Sequence, residues 1–230
     1  MSGDDRDVLQ HSTPPASVTD SATDRDASRK PSAILLFGMP GTGKGTQGRL
    51  LGTMNGLFHV STGEIFRRLD RSTADGRTVR DLIDHGNLVP DDLAVRLWKQ
   101  WLDEETRAGR FDPRCEVLLL DGIPRSVEQC HALESLVEVS GVVHLQPQND
   151  DAIVGRLLQR GATDGRPDDR SEEIIRQRFE IYRQTTAPVL DYYPAEITHE
   201  INPLGTPIEV KKRILERIIP LIRRRTGLAG

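Results

Sequence analysis

One glycine-rich turn constrains this 230-residue chain more than any other feature. The apolar run Ala33–Phe37 leads directly into it, and the turn reads Gly38-Met-Pro-Gly-Thr-Gly-Lys-Gly-Thr46 before a helical pattern begins. The spacing of Gly38, Gly43 and Lys44 is typical of a phosphate-binding loop, in which backbone N–H groups surround a phosphate and the lysine reaches its oxygens. An ordinary glycine-rich turn is the alternative, but it does not account for a lysine at this place. We therefore expect the loop to bind a nucleotide.

Short apolar runs and helical patterns alternate along the rest of the chain. Beside the run at 33–37, the candidate strands are Phe58–Val60, Val117–Leu120, Val142–Leu145 and Ile197–Ile201. Apolar runs of this length suit parallel strands that helices cover on both faces. The pattern predicts an α/β fold with a doubly wound, parallel five-stranded sheet. The predicted helices are Thr46–Met54, Gly63–Leu69, Pro90–Thr106, Ser126–Leu136, Asp150–Arg160, Ser171–Leu190 and Pro207–Arg224.

Composition narrows the class of protein. Residues 1–31 contain almost no large apolar side chains, which predicts a disordered N-terminal tail ahead of a domain at 32–230. No apolar run reaches the length of a membrane span, and the acidic N-terminus does not resemble a secretory signal. The net charge of −4 disfavours nucleic acid as a partner. Two cysteines without a C-x-x-C pattern suggest reduced thiols in a cytoplasmic protein.

Three further segments carry a resemblance to a known family. Residues 59–67 read His-Val-Ser-Thr-Gly-Glu-Ile-Phe-Arg, and residues 120–125 read Leu-Asp-Gly-Ile-Pro-Arg with Gln129 following. The third segment combines Arg156-Leu-Leu-Gln-Arg160, Asp164-Gly-Arg-Pro-Asp-Asp169 and Arg178. With the loop at 38–46, these segments resemble, in the right order, the motifs of adenylate kinases and their nucleoside monophosphate kinase relatives. The resemblance covers about residues 33–224 and implies a fold of the P-loop NTPase type.

The resemblance implies a site for two nucleotides, with an AMP-binding segment at 61–90 and a short lid at 160–170. Because the lid is short, the resemblance implies that the protein has no structural zinc. The residues implied for ATP are Gly38, Gly41, Thr42, Gly43, Lys44, Gly45, Thr46, Arg156 and Arg160. Those implied for AMP are Thr62, Gly63, Arg67, Asn87, Leu88, Val89, Gly122, Arg125, Gln129, Arg166 and Arg178. The implied catalytic set is Lys44, Arg125, Arg160, Arg166 and Arg178.

The residue types in these segments are interpretable without the family. Asp121 ends an apolar strand, where α/β folds place ligand groups, and could hold Mg²⁺ through water or merely cap the next turn. Ser61 and Glu64 have the spacing of a helix-capping box. Arg156 and Arg160, four residues apart, are expected on one helix face, which either faces an anion or is simply solvated.

Gln129, four residues after Arg125, is expected on the same helix face as that arginine. Its amide can donate and accept at once, which matches the N1 and N6 edge of adenine, although an exposed helical glutamine often has no such role. Together with Thr62, where pyrimidine monophosphate kinases typically have alanine, Gln129 favours AMP as the acceptor.

The expected activity is reversible phosphoryl transfer, MgATP + AMP ⇌ 2 ADP, by a monomer whose partners are small nucleotides. Two alternatives remain at this point. A kinase of the UMP/CMP type would use the same motifs with another acceptor. A non-catalytic nucleotide-binding protein could keep the fold without the reaction.

Overall fold

The computed structural model describes residues 30–147 and 151–226. The predicted disordered tail at 1–31 therefore lies outside the described residues except for its last two positions. Asp150, where one predicted helix begins, also lies outside them. Among the described residues, no helix has both the length and the apolarity that crossing a lipid bilayer requires.

Within these ranges, five parallel strands form one sheet in the order β2-β3-β1-β4-β5, as the alternating pattern predicted. Every residue of β1 and β3 is buried, because helices cover both faces of the sheet. The strand order reverses on either side of β1, and such a switch point is where open α/β sheets bind ligands. The strands are β1 (Ser32–Gly38), β2 (Leu57–Ser61), β3 (Val117–Asp121), β4 (Glu138–Leu145) and β5 (Thr198–Ile201).

Eight α-helices surround the sheet in the part of the chain that the structure describes. One of them, at 74–84, was not among the predicted helices; it begins at an N-cap, Thr73, whose hydroxyl accepts a hydrogen bond from Gly76 N at 3.0 Å. The helices are α1 (Lys44–Leu51), α2 (Thr62–Arg68), α3 (Ala74–Asp84), α4 (Asp91–Arg107), α5 (Val127–Glu134), α6 (Asp151–Asp164), α7 (Glu172–Ile181) and α8 (Pro207–Thr226).

The single helix predicted over 171–190 is wrong in its second half. Helix α7 ends at Ile181, a π-helical turn covers Tyr182–Thr186, and a 3₁₀ segment covers Ala187–Tyr192. Pro188 has no N–H to continue an α-helical ladder, which explains why the regular helix cannot run through this point.

The described helices enclose three apolar clusters, and one of these supports the site directly. Helix α8 packs on one face of the sheet, while α2, α4 and α5 pack on the other. Helices α6 and α7 have a separate small core with Met39 of the glycine-rich loop, built on residues such as Ile153, Leu157, Ile175 and Phe179. Burying each such side chain contributes about 2 kcal/mol, so the α6–α7 pair is held as a unit against the loop.

Candidate active site

The residues predicted for the site come together at one cavity. It is lined by the loop after β1, the start of α2, the segment before α4, the turn after β3, and residues of α6 and α7. All of the predicted site residues line it except Thr42. Thr42 is a buried residue of the loop itself, and its hydroxyl donates to the carbonyl oxygen of Met39 at 2.9 Å. Its side chain therefore holds the loop in shape.

The glycines of the loop allow a backbone that other residues could not adopt. Gly41 and Gly43 have φ values of 85° and 98°, in the left-handed region that disfavours side chains. A Cβ on Gly41 would also lie 2.5 Å from Ile153 Cγ2 on α6. Helix α1 begins directly afterwards at Lys44, so the loop leads into a helix N-terminus whose free N–H groups favour an anion.

Lys44 is held within the loop by the loop's own carbonyl groups. Its Nζ donates to the carbonyl oxygens of Gly38 at 2.5 Å and Met39 at 2.9 Å. Burial lowers the pKa of Lys44 from 10.5 to about 8; the Asp121 carboxylate opposes the change and nearby arginines add to it. A bound phosphate would supply the negative charge that this desolvated ammonium lacks.

Asp121 lies beside the loop, at the end of β3. It pairs in register with Leu36 of β1, and a Cβ on Gly45 would lie 3.6 Å from its Oδ2 atom. The carboxylate is nearly buried, and its charge acts on both Lys44 and Arg125. It is therefore placed to interact with a cation carried by phosphates in the loop.

Two adjacent carboxylates that were not among the predicted site residues hold three of the predicted arginines, Arg160, Arg166 and Arg178. Asp169 is fully buried and accepts from Arg160 Nε at 2.6 Å and Arg178 Nη1 at 2.5 Å. Asp168 pairs with Arg166 Nη2 at 3.3 Å and Arg178 Nη1 at 3.1 Å. Both carboxylates lie in one short 3₁₀ turn. The sequence did contain a signal for this role: Asp168 and Asp169 lie between arginines that were predicted to come together at the site.

Arg67 of α2 adds a further cation to the lining of the cavity. Burial lowers its pKa to about 10, and the positive charge of Arg166 adds to the effect while Asp168 opposes it. Burial alone would raise the pKa of Asp168, but the charges of Arg178 and Arg166 outweigh it, so this pKa is lowered. The arginines of α2 and of the segment predicted as the lid thus line one cavity, and their charges act on each other.

Gln129 is buried, and both ends of its amide are engaged. Its Oε1 accepts from the backbone N–H of Arg125 at 2.7 Å, and its Nε2 donates to Asp91 Oδ1 at 2.7 Å. The predicted shared helix face is wrong, because α5 begins at Val127 and Arg125 precedes its N-cap, Ser126. The sequence Ser-Val-Glu-Gln over 126–129 has the spacing of a capping box and could have predicted this helix start. In the structure, the Ser126 hydroxyl accepts a hydrogen bond from Gln129 N at 3.1 Å.

The capping box predicted at Ser61 and Glu64 is also wrong. Ser61 is the N-cap of α2, but its side chain makes no capping hydrogen bond. It is at the same time the last residue of β2, paired in register with Asp121, and this fixes its extended backbone. The Glu64 carboxylate instead pairs with Arg49 of α1 at 3.2 Å.

The segment predicted to flank the acceptor base touches helix α7. Gln177 Nε2 on α7 donates to Asn87 Oδ1 at 3.1 Å. A Cβ on Gly86, whose φ is 78°, would lie 2.9 Å from Arg178 Cγ. Thr62 also lines the cavity, and its hydroxyl donates to the carbonyl oxygen of Asp121 at 3.3 Å.

Known proteins resemble this chain over most of its length. The family model described as adenylate kinase matches residues 36–198. The chain belongs to the adenylate kinase family. An adenylate kinase from Flavobacterium psychrophilum is 38% identical over 192 residues, covering 80% of this chain and 97% of the relative. One from Thermus thermophilus is 37% identical over 188 residues, covering 79% and 94%. One from Clavibacter michiganensis is 41% identical over 188 residues, covering 79% and 90%.

Membership of this family implies Mg²⁺, and the donors at the site fit a cation that arrives with the nucleotide. Within 30–147 and 151–226, no group of three or more His, Cys, Asp or Glu side chains could hold a metal by itself. Mg²⁺ at nucleotide sites is commonly bound by one or two carboxylates together with phosphate oxygens and water. Asp121, buried beside the loop, is a carboxylate of that kind.

Proposed function

We propose that this member of the adenylate kinase family transfers a phosphoryl group from MgATP to AMP, giving two ADP. The observation that carries the proposal is the convergence of two phosphate-binding arrangements on one cavity. The loop with Lys44 lines this cavity, and so do Arg67 and Arg125. The lid segment completes the lining with Arg160, Arg166 and Arg178.

The chain's own residues would act by positioning and by stabilising charge. The phosphate of AMP is ionised at neutral pH, so its attack on the γ-phosphorus needs no general base. Lys44 and the loop N–H groups would hold the donor phosphates, while Arg67 and Arg125 would orient the acceptor phosphate for in-line transfer. Asp121 would hold Mg²⁺ through water, and the bound ion would neutralise phosphate charge.

The lid arginines would stabilise the charge that develops on the transferred group. Their positions are supported in advance by Asp168 and Asp169, so little reorganisation is needed when the phosphates arrive. We further propose that residues 61–90 form the acceptor segment and residues 160–170 the lid, whose closure excludes water from the donor phosphates. We also propose that the enzyme acts as a monomer, because this chain supplies a residue for each of the roles assigned above.

The test of this function is a side-by-side acceptor panel with MgATP as donor. AMP should exceed UMP, CMP and GMP in kcat/KM by at least about tenfold, because Gln129 offers both a donor and an acceptor to the base. Formation of ADP is followed by a coupled assay and checked by chromatography. UMP or CMP as the better acceptor would reassign the chain to a pyrimidine kinase. Binding of ATP and AMP without formation of ADP would show a non-catalytic nucleotide-binding protein.

A further inference from the structure

The side-chain amide of Gln129 is fixed by two groups of opposite hydrogen-bonding character. The backbone N–H of Arg125 can only donate, and it meets Oε1 at 2.7 Å. The Asp91 carboxylate accepts, and it meets Nε2 at 2.7 Å. Gln129 is only 3% exposed, so water cannot replace either partner freely.

These two contacts decide which way the amide faces. An amide has nearly the same shape when its oxygen and nitrogen exchange places, but its donors and acceptors are reversed. After such an exchange, the amide oxygen would face the Asp91 carboxylate and the NH₂ group would face the Arg125 N–H. Both pairs would be mismatched in a buried place, at a cost far above that of a lost surface hydrogen bond.

The fixed amide retains one N–H and one oxygen lone pair, since each end has used one of its two positions. Gln129 lines the cavity, so these remaining positions are the ones available to an acceptor base. An N–H beside an oxygen acceptor matches a 6-aminopurine, whose N1 accepts and whose N6 amino group donates. A 6-oxopurine carries the reverse pattern, with a donor at N1 and an acceptor at O6, and would need the exchanged amide.

We propose that Asp91 is a positioning residue that makes the acceptor site selective for a 6-aminopurine over a 6-oxopurine nucleotide. It acts through Gln129: the carboxylate forbids the amide orientation that a 6-oxopurine requires. This inference rests on the proposed function, because it assumes that Gln129 faces the base of the acceptor.

The test compares AMP with IMP, which differ only at the N1 and C6 positions of the base. In Asp91→Asn, the new amide can accept from Gln129 or donate to it, so both orientations become possible. We expect AMP turnover to be largely kept and the AMP/IMP ratio of kcat/KM to fall by about tenfold, the size of one relieved mismatch. Asp92→Asn is the matched control, since it removes the neighbouring carboxylate in the same turn of α4 without touching Gln129, and it should leave the ratio unchanged.

Asp91→Ala provides a second variant, and its ratio should fall as well, with weaker use of AMP because the amide loses a partner. An unchanged AMP/IMP ratio in both Asp91 variants would overturn the proposal even if their absolute rates fell, since a purely structural role lowers both rates together. Equilibrium binding of AMP and of IMP to each purified variant gives the same ratio without turnover. If the unsubstituted chain binds AMP but forms no ADP, the proposed function fails while the binding ratio still tests Asp91.

Discussion

The pKa of the Lys44 ammonium group depends on its burial in the fold. Its ammonium group lies between loop carbonyls, and burial holds its pKa at about 8. A group with a lowered pKa in the folded state is charged there at a cost, and binding of an anion offsets that cost. The residue is thus placed for ligand binding rather than for the stability of the free protein.

Lys44→Met should abolish phosphoryl transfer and leave the fold intact. We expect kcat to fall by at least about 100-fold, because one positive charge is lost where negative charge develops. The thermal unfolding temperature should not fall appreciably, since the substitution removes a desolvated charge. Both are measured on the same preparation, by coupled assay and by circular dichroism.

The matched control for this prediction is Lys99→Met. Lys99 is another of the chain's five lysines, half-exposed on α4 and paired with Asp103 at 2.6 Å. This control should keep the activity of the unsubstituted chain. Near-normal turnover by Lys44→Met would contradict the assignment of the loop.

Among the elements, the segment proposed as the lid requires close approach of a short turn to α6. The 3₁₀ turn over 167–169 carries the two carboxylates that pair with the lid arginines. Gly161 on α6 lies under this turn: a Cβ there would be 2.5 Å from the carbonyl oxygen of Asp169. Because the obstacle is backbone, the turn itself would have to move.

Gly161→Ala should therefore lower both stability and kcat. Displacing the turn by even a fraction of an ångström moves Asp169 away from Arg160 and Arg178, and we expect kcat to fall by about 10-fold or more. Overpacking should also lower the unfolding temperature, although alanine favours a helix. The measurements are steady-state kinetics and calorimetry.

Gly155→Ala on the same helix separates packing from helix propensity. A Cβ on Gly155 has no heavy atom within 4 Å among the described residues. This variant should raise the unfolding temperature by about 2 °C, reflecting about 0.5–1 kcal/mol of helix propensity in a chain of this size, and keep its activity. Equal changes of kcat and of unfolding temperature in Gly161→Ala and Gly155→Ala would contradict the prediction that the turn must lie close to α6.

Burial lowers the pKa values of three histidines on the sheet, His59, His144 and His199, and this links the stability of the whole protein to pH. Burial lowers the pKa of His144 on β4, and Lys44 adds to the effect while Glu200 opposes it. Burial also lowers the pKa of His59 on β2, whose Nε2 atom is buried without a hydrogen-bond partner among the described residues. His144 contacts the Tyr182 hydroxyl through Nε2 at 3.2 Å.

The free energy of unfolding should consequently fall as the pH drops below about 6.5. In that range the unfolded chain binds protons on these histidines while the folded chain does not, so acid favours the unfolded state. Urea titrations at pH 7.5, 6.5 and 5.5 give the slope of stability against pH. His144→Gln should reduce this slope, whatever its effect on stability at pH 7.5. A slope equal to that of the unsubstituted chain would show that His144 is not one of the groups responsible.

The fold and most of the candidate site could be predicted from the sequence because their signals are local. The loop from Gly38 to Thr46 specifies its own conformation through closely spaced glycines, and its place between a buried strand and a helix predicts the sheet edge where it lies. The short runs predicted all five strands. The signal is strongest in β1 and β3, where burial on both faces leaves a continuous apolar pattern. Helix boundaries were less accurate, as the break after Ile181 shows.

The tertiary structure alone decided which polar groups meet. Gln129 and Asp91 are 38 residues apart, and their hydrogen bond exists only because α4 and α5 pack together on one face of the sheet. Asp169 became the partner of Arg160 and Arg178 through the folding of a short turn onto two helices. A charged side chain, or a side-chain amide, has many chemically suitable partners along a chain. The kind of site is thus encoded in local sequence motifs. How each group is held depends on packing, which brings a few of those groups within about 3 Å in a place that excludes water.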